Sequence, residues 1–271
     1  MKRICLCFLA ALMLLAVGCS ASAQLRVDFY NVGKADAMLI TTPQGQRILI
    51  DAATNGEGKK LVKRFAAEGI STIDLMIITH FDKDHVGGAD QMIENLTVSQ
   101  VLIPEYEKDS KQYRQFIEAM EASRETHSVT MSTGQRLEFE AGGAQFVVTA
   151  AHRADYGQDE ENDFSLVVRM TYGDTKFLFA GDAEAPRQKE ILEEGDAACD
   201  VLKVPYHGRL TGMSEAFIAE TSPKIAFVPD GEEDPASETV LSLLSEAGAA
   251  VYCARHGDVS VLSDGTSVWV E

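Results

Sequence analysis

Residues 73–88, IDLMIITHFDKDHVGG, join a near-continuous apolar run to a loop with two histidines and two aspartates within six positions. The run is rich in β-branched residues and reads as a strand buried on both faces, which demands a covering layer on each side. Open α/β sheets place ligand sites at the C-terminal ends of such strands, which is where His80, Asp82, Asp84 and His85 fall. Imidazole and carboxylate groups suit zinc and related divalent ions. His80 with Asp82, and Asp84 with His85, can each give two ligands from one tight loop, enough to hold two neighbouring ions. Gly87 and Gly88 let the chain turn close beneath them before the next helix.

The rest of the chain alternates strands with helices. LRVDFYNVG, DAMLITT and RILIDAA read as three strands, with a turn at Pro43-Gln44-Gly45. AQFVVTAA, SLVVRMTYG, KFLFAG, DVLKVPY, KIAFVP, AAVYCAR and VSVLSDG read as further strands. KKLVKRFAAEG, SKQYRQFIEAMEASRE, EAPRQKEILEEG, SEAFIAET and SETVLSLLSEAG have helical patterning. Strand-rich halves with interspersed helices predict a layered α/β sandwich. No G-x-G-x-x-G follows the first strand, which argues against a dinucleotide-binding sheet.

The N-terminus is set apart from this pattern. Lys2 and Arg3 precede an apolar stretch from Ile4 to Val17, then small residues. That is too short to span a bilayer, which takes roughly 20 apolar residues, and it reads as an export signal over residues 1–23. Ala21-Ser22-Ala23 before Gln24 fits an ordinary cleavage site; Ala16-Val17-Gly18-Cys19 resembles a bacterial lipobox that would leave a lipidated Cys19. Either route, like the alternative of an uncleaved N-terminal anchor, places the body of the protein, residues 24–271, in the periplasm or outside the cell, free or as a membrane-anchored lipoprotein. Beyond the signal only Cys199 and Cys253 remain, so no disulfide framework holds the fold. The formal charge is -18, and -20 without Lys2 and Arg3. That argues against broad, non-specific binding of DNA, which relies on basic side chains. A phosphate substrate stays admissible, because metal ions supply positive charge locally.

His80-x-Asp82-x-Asp84-His85 resembles the H-x-H-x-D-H metal motif of the metallo-β-lactamase fold. The aspartate in the second position resembles the variant in the C-terminal domain of ComEC-type competence proteins, which act in DNA uptake. VDFYNVGKADAMLITTPQGQRILIDAA is similar to that family's opening, ENDFSLVVRMTYGDTKFLFAGDAE to its N-x-x-S-L-V strand and T-G-D-x-E turn, and DVLKVPYHG to its L-K-V-P-H-H-G-S segment. The resemblance covers nearly all of residues 24–271. It implies a four-layer αββα sandwich binding two divalent ions, zinc or manganese.

Carried over residue by residue, the resemblance implies that His80 and Asp82 bind one ion, Asp84 and His85 the other, and that Asp182 bridges them. His207 matches the second histidine of the H-H-G segment. Asp51, and Asp36 in the same way, would support the metal loop through hydrogen bonds, and Asn162 aligns with an asparagine near the pocket. Asp84 and Lys203 are the candidate catalytic residues, Lys203 either stabilising an anionic transition state or lying on the surface. The chain departs from the family at Asn31, Lys34, Ala35, Tyr206 and Arg209. Where the family carries a G-H-P segment, this chain reads DGEEDPASETV, with Asp234 or Glu233 in place of the histidine. His127, His152 and His256 match no ligand of the family.

These residues imply a metal-dependent hydrolase acting on a phosphodiester, either a small molecule or a nucleic acid. Asp82 and the lack of the lactamases' third-motif histidine weigh against amide hydrolysis. A non-catalytic metal-binding or interaction module on the same fold is the alternative. Residues 24–271 hold no apolar stretch long enough to span a membrane, so a DNA channel would need a partner chain.

Overall fold

The computed structural model describes residues 24–157 and 161–271. The export signal expected at residues 1–23, with both of its candidate cleavage sites, lies outside them. In chain order, β1 (Leu25–Phe29), β2 (Met38–Thr41), β3 (Arg47–Ile50), β4 (Thr72–Ile77), β5 (Thr97–Pro104) and β6 (His127–Met131) cross a first sheet. A second is built from β7 (Arg136–Ala141), β8 (Ala144–Thr149), β9 (Val167–Tyr172), β10 (Thr175–Phe179), β11 (Val201–Lys203), β12 (Ile225–Val228) and β13 (Ala250–Cys253). The chain then returns to the first sheet, where β14 (Val259–Ser263) pairs with β1 and β15 (Val268–Val270) pairs with β14. Each sheet is antiparallel on one side and parallel on the other: β3 to β6 run parallel in the first, β10 to β13 in the second.

Three apolar layers follow from this stacking. Alternation in β1 sends Leu25, Val27 and Phe29 inward, and Phe29 stacks on Phe227 of the facing sheet with ring centroids 4.7 Å apart. The outer face of the first sheet is covered by α1 (Asn55–Ala67), α2 (Ala89–Asn95) and α3 (Lys111–Ala122), with Leu61, Phe65, Met92, Ile93 and Phe116 in the seam. The second is covered by α4 (Ala185–Glu193), α5 (Ser214–Thr221) and α6 (Glu238–Glu246), through Ile191, Phe217, Ile218, Val240 and Leu244. The architecture is the expected αββα sandwich. β4 shows why both faces of its run are apolar: Ile77 lies between the sheets, whereas Met76 and Ile78 lie under the helices.

Five elements escaped the sequence pattern: α2, β5, β6, β7 and β15. β5 is the informative one. It sits in the parallel half with Val101 to Pro104 buried, yet its first half, TVSQ, is polar and partly exposed. Cys199 and Cys253 are both buried as free thiols.

The parallel halves bring the C-terminal ends of β3, β4, β10, β11 and β12 to one edge of the sandwich, joined there by the start of antiparallel β2. The loop after β4 packs directly on α1. A Cβ on Gly88 would lie 2.2 Å from the Ala52 carbonyl oxygen and 2.7 Å from Gly58 Cα. Gly88 has an ordinary φ of -97°, so the need for glycine there is space and not an unusual turn.

Candidate metal centre

Each strand end contributes one group. Asp51 follows β3 and is held at φ 57°; Thr79 and His80 follow β4. Asp182 follows β10 through Gly181, at φ 53°. His207 lies in a turn after β11 in which Tyr206, His207 and Gly208 take φ values of 52°, 51° and 71°. Left-handed conformations at two successive residues with side chains cost about 1–3 kcal/mol each, and here the turn swings His207 inward until it is buried. Its Nδ1 donates to the Pro229 carbonyl at 2.8 Å. The next residue, Asp230, is fully buried, accepts from the Ala236 amide at 3.1 Å and pairs with Arg255, which fixes the segment carrying that carbonyl.

The hydrogen bonds set the state of all three imidazoles. Asp51 accepts from the Thr79 amide and hydroxyl, both at 2.8 Å, and from His85 Nδ1 at 2.9 Å. Since the Thr79 hydroxyl donates to Asp51, it acts as acceptor toward His80 Nδ1 at 3.1 Å. One carboxylate therefore orients two imidazoles, one directly and one through a threonine, and keeps the ring proton of each on Nδ1. Pro229 does the same for His207. The three Nε2 atoms are left buried with no aligned hydrogen-bond partner.

Two of those nitrogens flank Asp182. His207 Nε2 lies 2.9 Å and His85 Nε2 3.4 Å from Asp182 Oδ2, and His207 Nε2 lies 3.5 Å from Asp84 Oδ2. Metal–ligand bonds of about 2.1 Å place the ligands of a tetrahedral ion roughly 3.4 Å apart, so the spacing matches such an ion. The His80 and His85 rings are 4.0 Å apart, which sets His80 beside this group. Buried polar atoms left without partners are otherwise costly, and the donor set suits a divalent cation.

Asp36, His85, Asp182 and His207 each place a potential ligand atom within 4.8 Å of the others. Asp36, however, approaches the two rings from their Nδ1 sides, at 3.8 and 3.7 Å, and contacts Lys203. Lys203 is itself fully buried and also donates to the Gly181 carbonyl at 2.8 Å and to Asp182 Oδ1 at 3.3 Å. The structure thus corrects the surface alternative for Lys203: it is buried beside Asp36 and Asp182. It balances the charges of Asp36 and Asp182 and so acts as a positioning group.

The remaining candidates lie around the opening. Asp84 is mostly buried, 3.7 Å from Lys34 Nζ. Lys34 also lies 3.8 Å from Asp234, which pairs with Arg209 at 2.6 Å. Asp82 contacts Lys108, whose ammonium also contacts Glu161. Asn162 donates to Glu184 at 2.8 Å and lines a cleft of about 250 Å³ with Asp82, Lys108 and Glu161. His152 pairs with Glu194 at 2.9 Å, on the face covered by α4.

Charge inside the centre is strongly polarised. Burial disfavours protonation of His207, but Asp182, Asp84 and Asp36 outweigh it and push the imidazole up to about 9. Burial likewise opposes the His85 cation, and Asp182, Asp36 and Asp51 raise it well above the ordinary histidine value. His80, by contrast, is lowered to about 4 by burial and by the His85 charge, so it is neutral. Burial would raise Asp84 and Asp182, yet the facing imidazoles hold both below the usual carboxylate range.

The signature of the Metallo-beta-lactamase superfamily matches residues 30–229. The chain belongs to that superfamily. Among curated proteins, this superfamily member is 28% identical over 236 residues to ComE operon protein 3 of Bacillus subtilis (strain 168), covering 79% of this chain and 29% of the relative. It is 28% identical over 215 residues to Recombination protein 2 of Haemophilus influenzae, covering 78% of this chain and 25% of the relative. These are ComEC-type competence proteins, and the chain spans between a quarter and three tenths of their length. Among solved structures, the diiron β-hydroxylase CmlA from Streptomyces venezuelae superimposes with a TM-score of 0.56 at 14% identity, over 88% of this chain and 54% of that one. A diphosphatase from the PhnP family gives 0.51 at 14% identity, over 88% and 98%. A long-form RNase Z from yeast gives 0.53 at 10% identity, over 90% and 42%.

Of the residues expected from the sequence, contacts of 2.9 to 3.5 Å link Asp84, His85, Asp182 and His207, the His80 ring packs on that of His85, and Asp51 lies behind them. Asp82 and Asn162 stand at the rim, each engaged with a charged side chain. Sequence reasoning missed Thr79 and Ser165, whose hydroxyl lies 3.4 Å from His80 Nδ1 and accepts from the Asp182 amide at 3.0 Å. It also missed Lys108, which nothing in the local sequence distinguishes from any loop lysine.

Proposed function

We propose that this chain is an exported, metal-dependent hydrolase of phosphodiester bonds. His80, Asp82, Asp84, His85, Asp182 and His207 hold the metal, up to two divalent ions of zinc or manganese. One observation carries the reading: three buried imidazoles, each hydrogen-bonded through Nδ1, present buried Nε2 atoms without aligned partners, and two of these, on His85 and His207, face the buried Asp182 carboxylate. A bound ion there would supply Lewis acidity toward water and toward a phosphoryl oxygen.

The chain's own residues do the rest. Asp84 is ionised and stands at the opening, where its carboxylate would hold the metal and orient the attacking water. Lys203 holds Asp182 and Asp36 from beneath. Lys34, Lys108 and Arg209 stand around the opening, each already paired with a carboxylate there, so the positive charge that a phosphate needs would come from the bound metal. The fold neighbours named as a diphosphatase and as an RNase Z favour phosphate esters over lactams, and both a small phosphodiester and a nucleic acid fit this chemistry. Export rests on residues 1–23; among the described residues no helix is long and apolar enough to cross a membrane. Mass spectrometry of the mature N-terminus distinguishes Gln24 from a lipidated Cys19.

The test is metal analysis of the purified protein, followed by assay of bis(p-nitrophenyl) phosphate, DNA, RNA and a lactam with zinc and with manganese. Hydrolysis of a phosphodiester that is abolished by a chelator and by Asp84→Ala is expected. Metal uptake without turnover on any phosphodiester would move the protein to the non-catalytic alternative.

A further inference from the structure

The two halves of the candidate centre are not equally open to a cation. In one, contacts of 2.9 to 3.5 Å link Asp84 to His207, His207 to Asp182 and Asp182 to His85, and among the described residues no other cation lies between them. In the other half, His80 Nε2 is buried without a partner, but the carboxylate meant to complement it already has a cation. That cation is the ammonium of Lys108, in the loop between β5 and α3. It contacts Asp82 on one side and Glu161, in the short helical turn Glu161–Phe164, on the other. The Lys108 side chain is 21% exposed and the Asp82 side chain 34%, so the pair is partly shielded from solvent. Tyr106 ties the Lys108 loop to the metal loop: its hydroxyl accepts from the Phe81 amide, and its ring lies 4.6 Å from that of Phe81.

We propose that Lys108 is a built-in counter-cation for this half of the centre. The chain then binds one metal ion tightly and admits a second only by expelling the ammonium from Asp82. This rests on the metal-dependent reading above and deepens it. Lys108 acts through Asp82 and is a positioning residue that sets metal stoichiometry. A divalent ion at Asp82 and the ammonium repel each other across a few ångströms. A charge partly screened by solvent at that range weakens binding of the second ion by about 10- to 100-fold. Release of Lys108 would also free Glu161 and open the cleft that they line with Asn162.

The experiment is calorimetric titration of the metal-free protein with Zn²⁺ and with Mn²⁺, comparing the unmodified chain with Lys108→Met and Lys108→Arg. Circular dichroism and thermal melts verify that each variant is folded. The unmodified chain should bind one equivalent tightly and a second at least about tenfold more weakly. Lys108→Met should tighten the second step by about tenfold or more and leave the first unchanged; Lys108→Arg, which keeps the charge, should behave as the unmodified chain. The electron paramagnetic resonance spectrum of the Mn²⁺ form gives a second readout: an isolated ion in the unmodified chain and a coupled pair in Lys108→Met at two equivalents. Two equally tight sites in the unmodified chain would overturn the proposal, as would a second step unmoved by Lys108→Met. No binding of either metal to any variant would instead overturn the metal-dependent reading, and this inference with it.

Discussion

Replacing Asp51 by asparagine isolates the support of the imidazoles from every other feature of the centre. The backbone does not object, because asparagine tolerates the left-handed conformation that Asp51 adopts at φ 57°. The hydrogen bonds do. Asp51 accepts three, from the Thr79 amide, the Thr79 hydroxyl and His85 Nδ1. Asparagine has one acceptor oxygen, and its amide nitrogen would face the hydroxyl and the imidazole as a donor. If the Thr79 hydroxyl rotates to accept, its own proton loses its acceptor. The His85 ring then favours the tautomer with Nδ1 unprotonated, which places the proton on Nε2 and removes its ligating lone pair. Two charge-assisted hydrogen bonds at about 1.5–3 kcal/mol each predict that the metal-free fold loses about 3 kcal/mol. Loss of this oriented support predicts metal binding weaker by about 10- to 100-fold. Asp51→Ala should cost about 1 kcal/mol more in stability, because alanine lacks asparagine's tolerance for this conformation. Competition with a fluorescent zinc chelator measures the affinity, and urea denaturation measures the stability. A zinc affinity for Asp51→Asn within about threefold of the unmodified chain would refute the claim that this carboxylate sets the tautomers, since even the weaker expectation is tenfold.

Gly88→Ala should destabilise the protein by about 3 kcal/mol, read by urea denaturation, because its Cβ meets backbone at 2.2 and 2.7 Å and the loop must shift off α1. Asp84→Ala should remove most bound metal and all hydrolysis, whereas Asp82→Ala should retain about one ion with reduced activity; metal analysis of the two variants together checks this ranking. The pH responses of the metal-free and metal-bound forms should run in opposite directions. His207 is raised from 6.5 to about 9, so its contribution to the stability of the metal-free fold is full below about pH 6.5 and is lost as pH rises through about 9. A metal must displace that proton, so affinity should climb over the same interval and level off above it; melts and titrations across pH 6 to 10 measure the two trends.

Much of the fold was legible because its strands carry the signals that buried parallel strands must carry. The run ending at Thr79 announced a covered strand, and its polar sequel announced a site. β5 was not legible, because its polar first half reaches the exposed side of the sheet and breaks the apolar run that would mark it. In the centre, His80, Asp84 and His85 were readable from local spacing, and Asp182 and His207 only through likeness to a family. The burial of Lys203 was not legible, for a physical reason. A lysine at a strand end usually reaches solvent, and only the tertiary meeting with Asp36, some 167 positions earlier in the sequence, turns it inward. Lys108 was invisible on the same ground, since its partner Asp82 belongs to a different loop.

The pairing of β1 with β14 joins Leu25 to Ser263 and Phe29 to Val259, so an early strand in the chain is closed by one of the last. During synthesis, β1 leaves the ribosome with only β2 available on one edge, and its other edge stays open until nearly the whole chain has emerged. Contacts of such sequence separation are slow to form, because loop closure must precede the energy they return. The nascent chain therefore lingers in an unfinished state, with an apolar strand edge for chaperones to guard. A polypeptide that cannot complete its first sheet early is also one that can still be threaded through a narrow pore. Removing residues from β14 onward should trap this state, leaving a species that aggregates through β1 and has no assembled cluster for metal to fill.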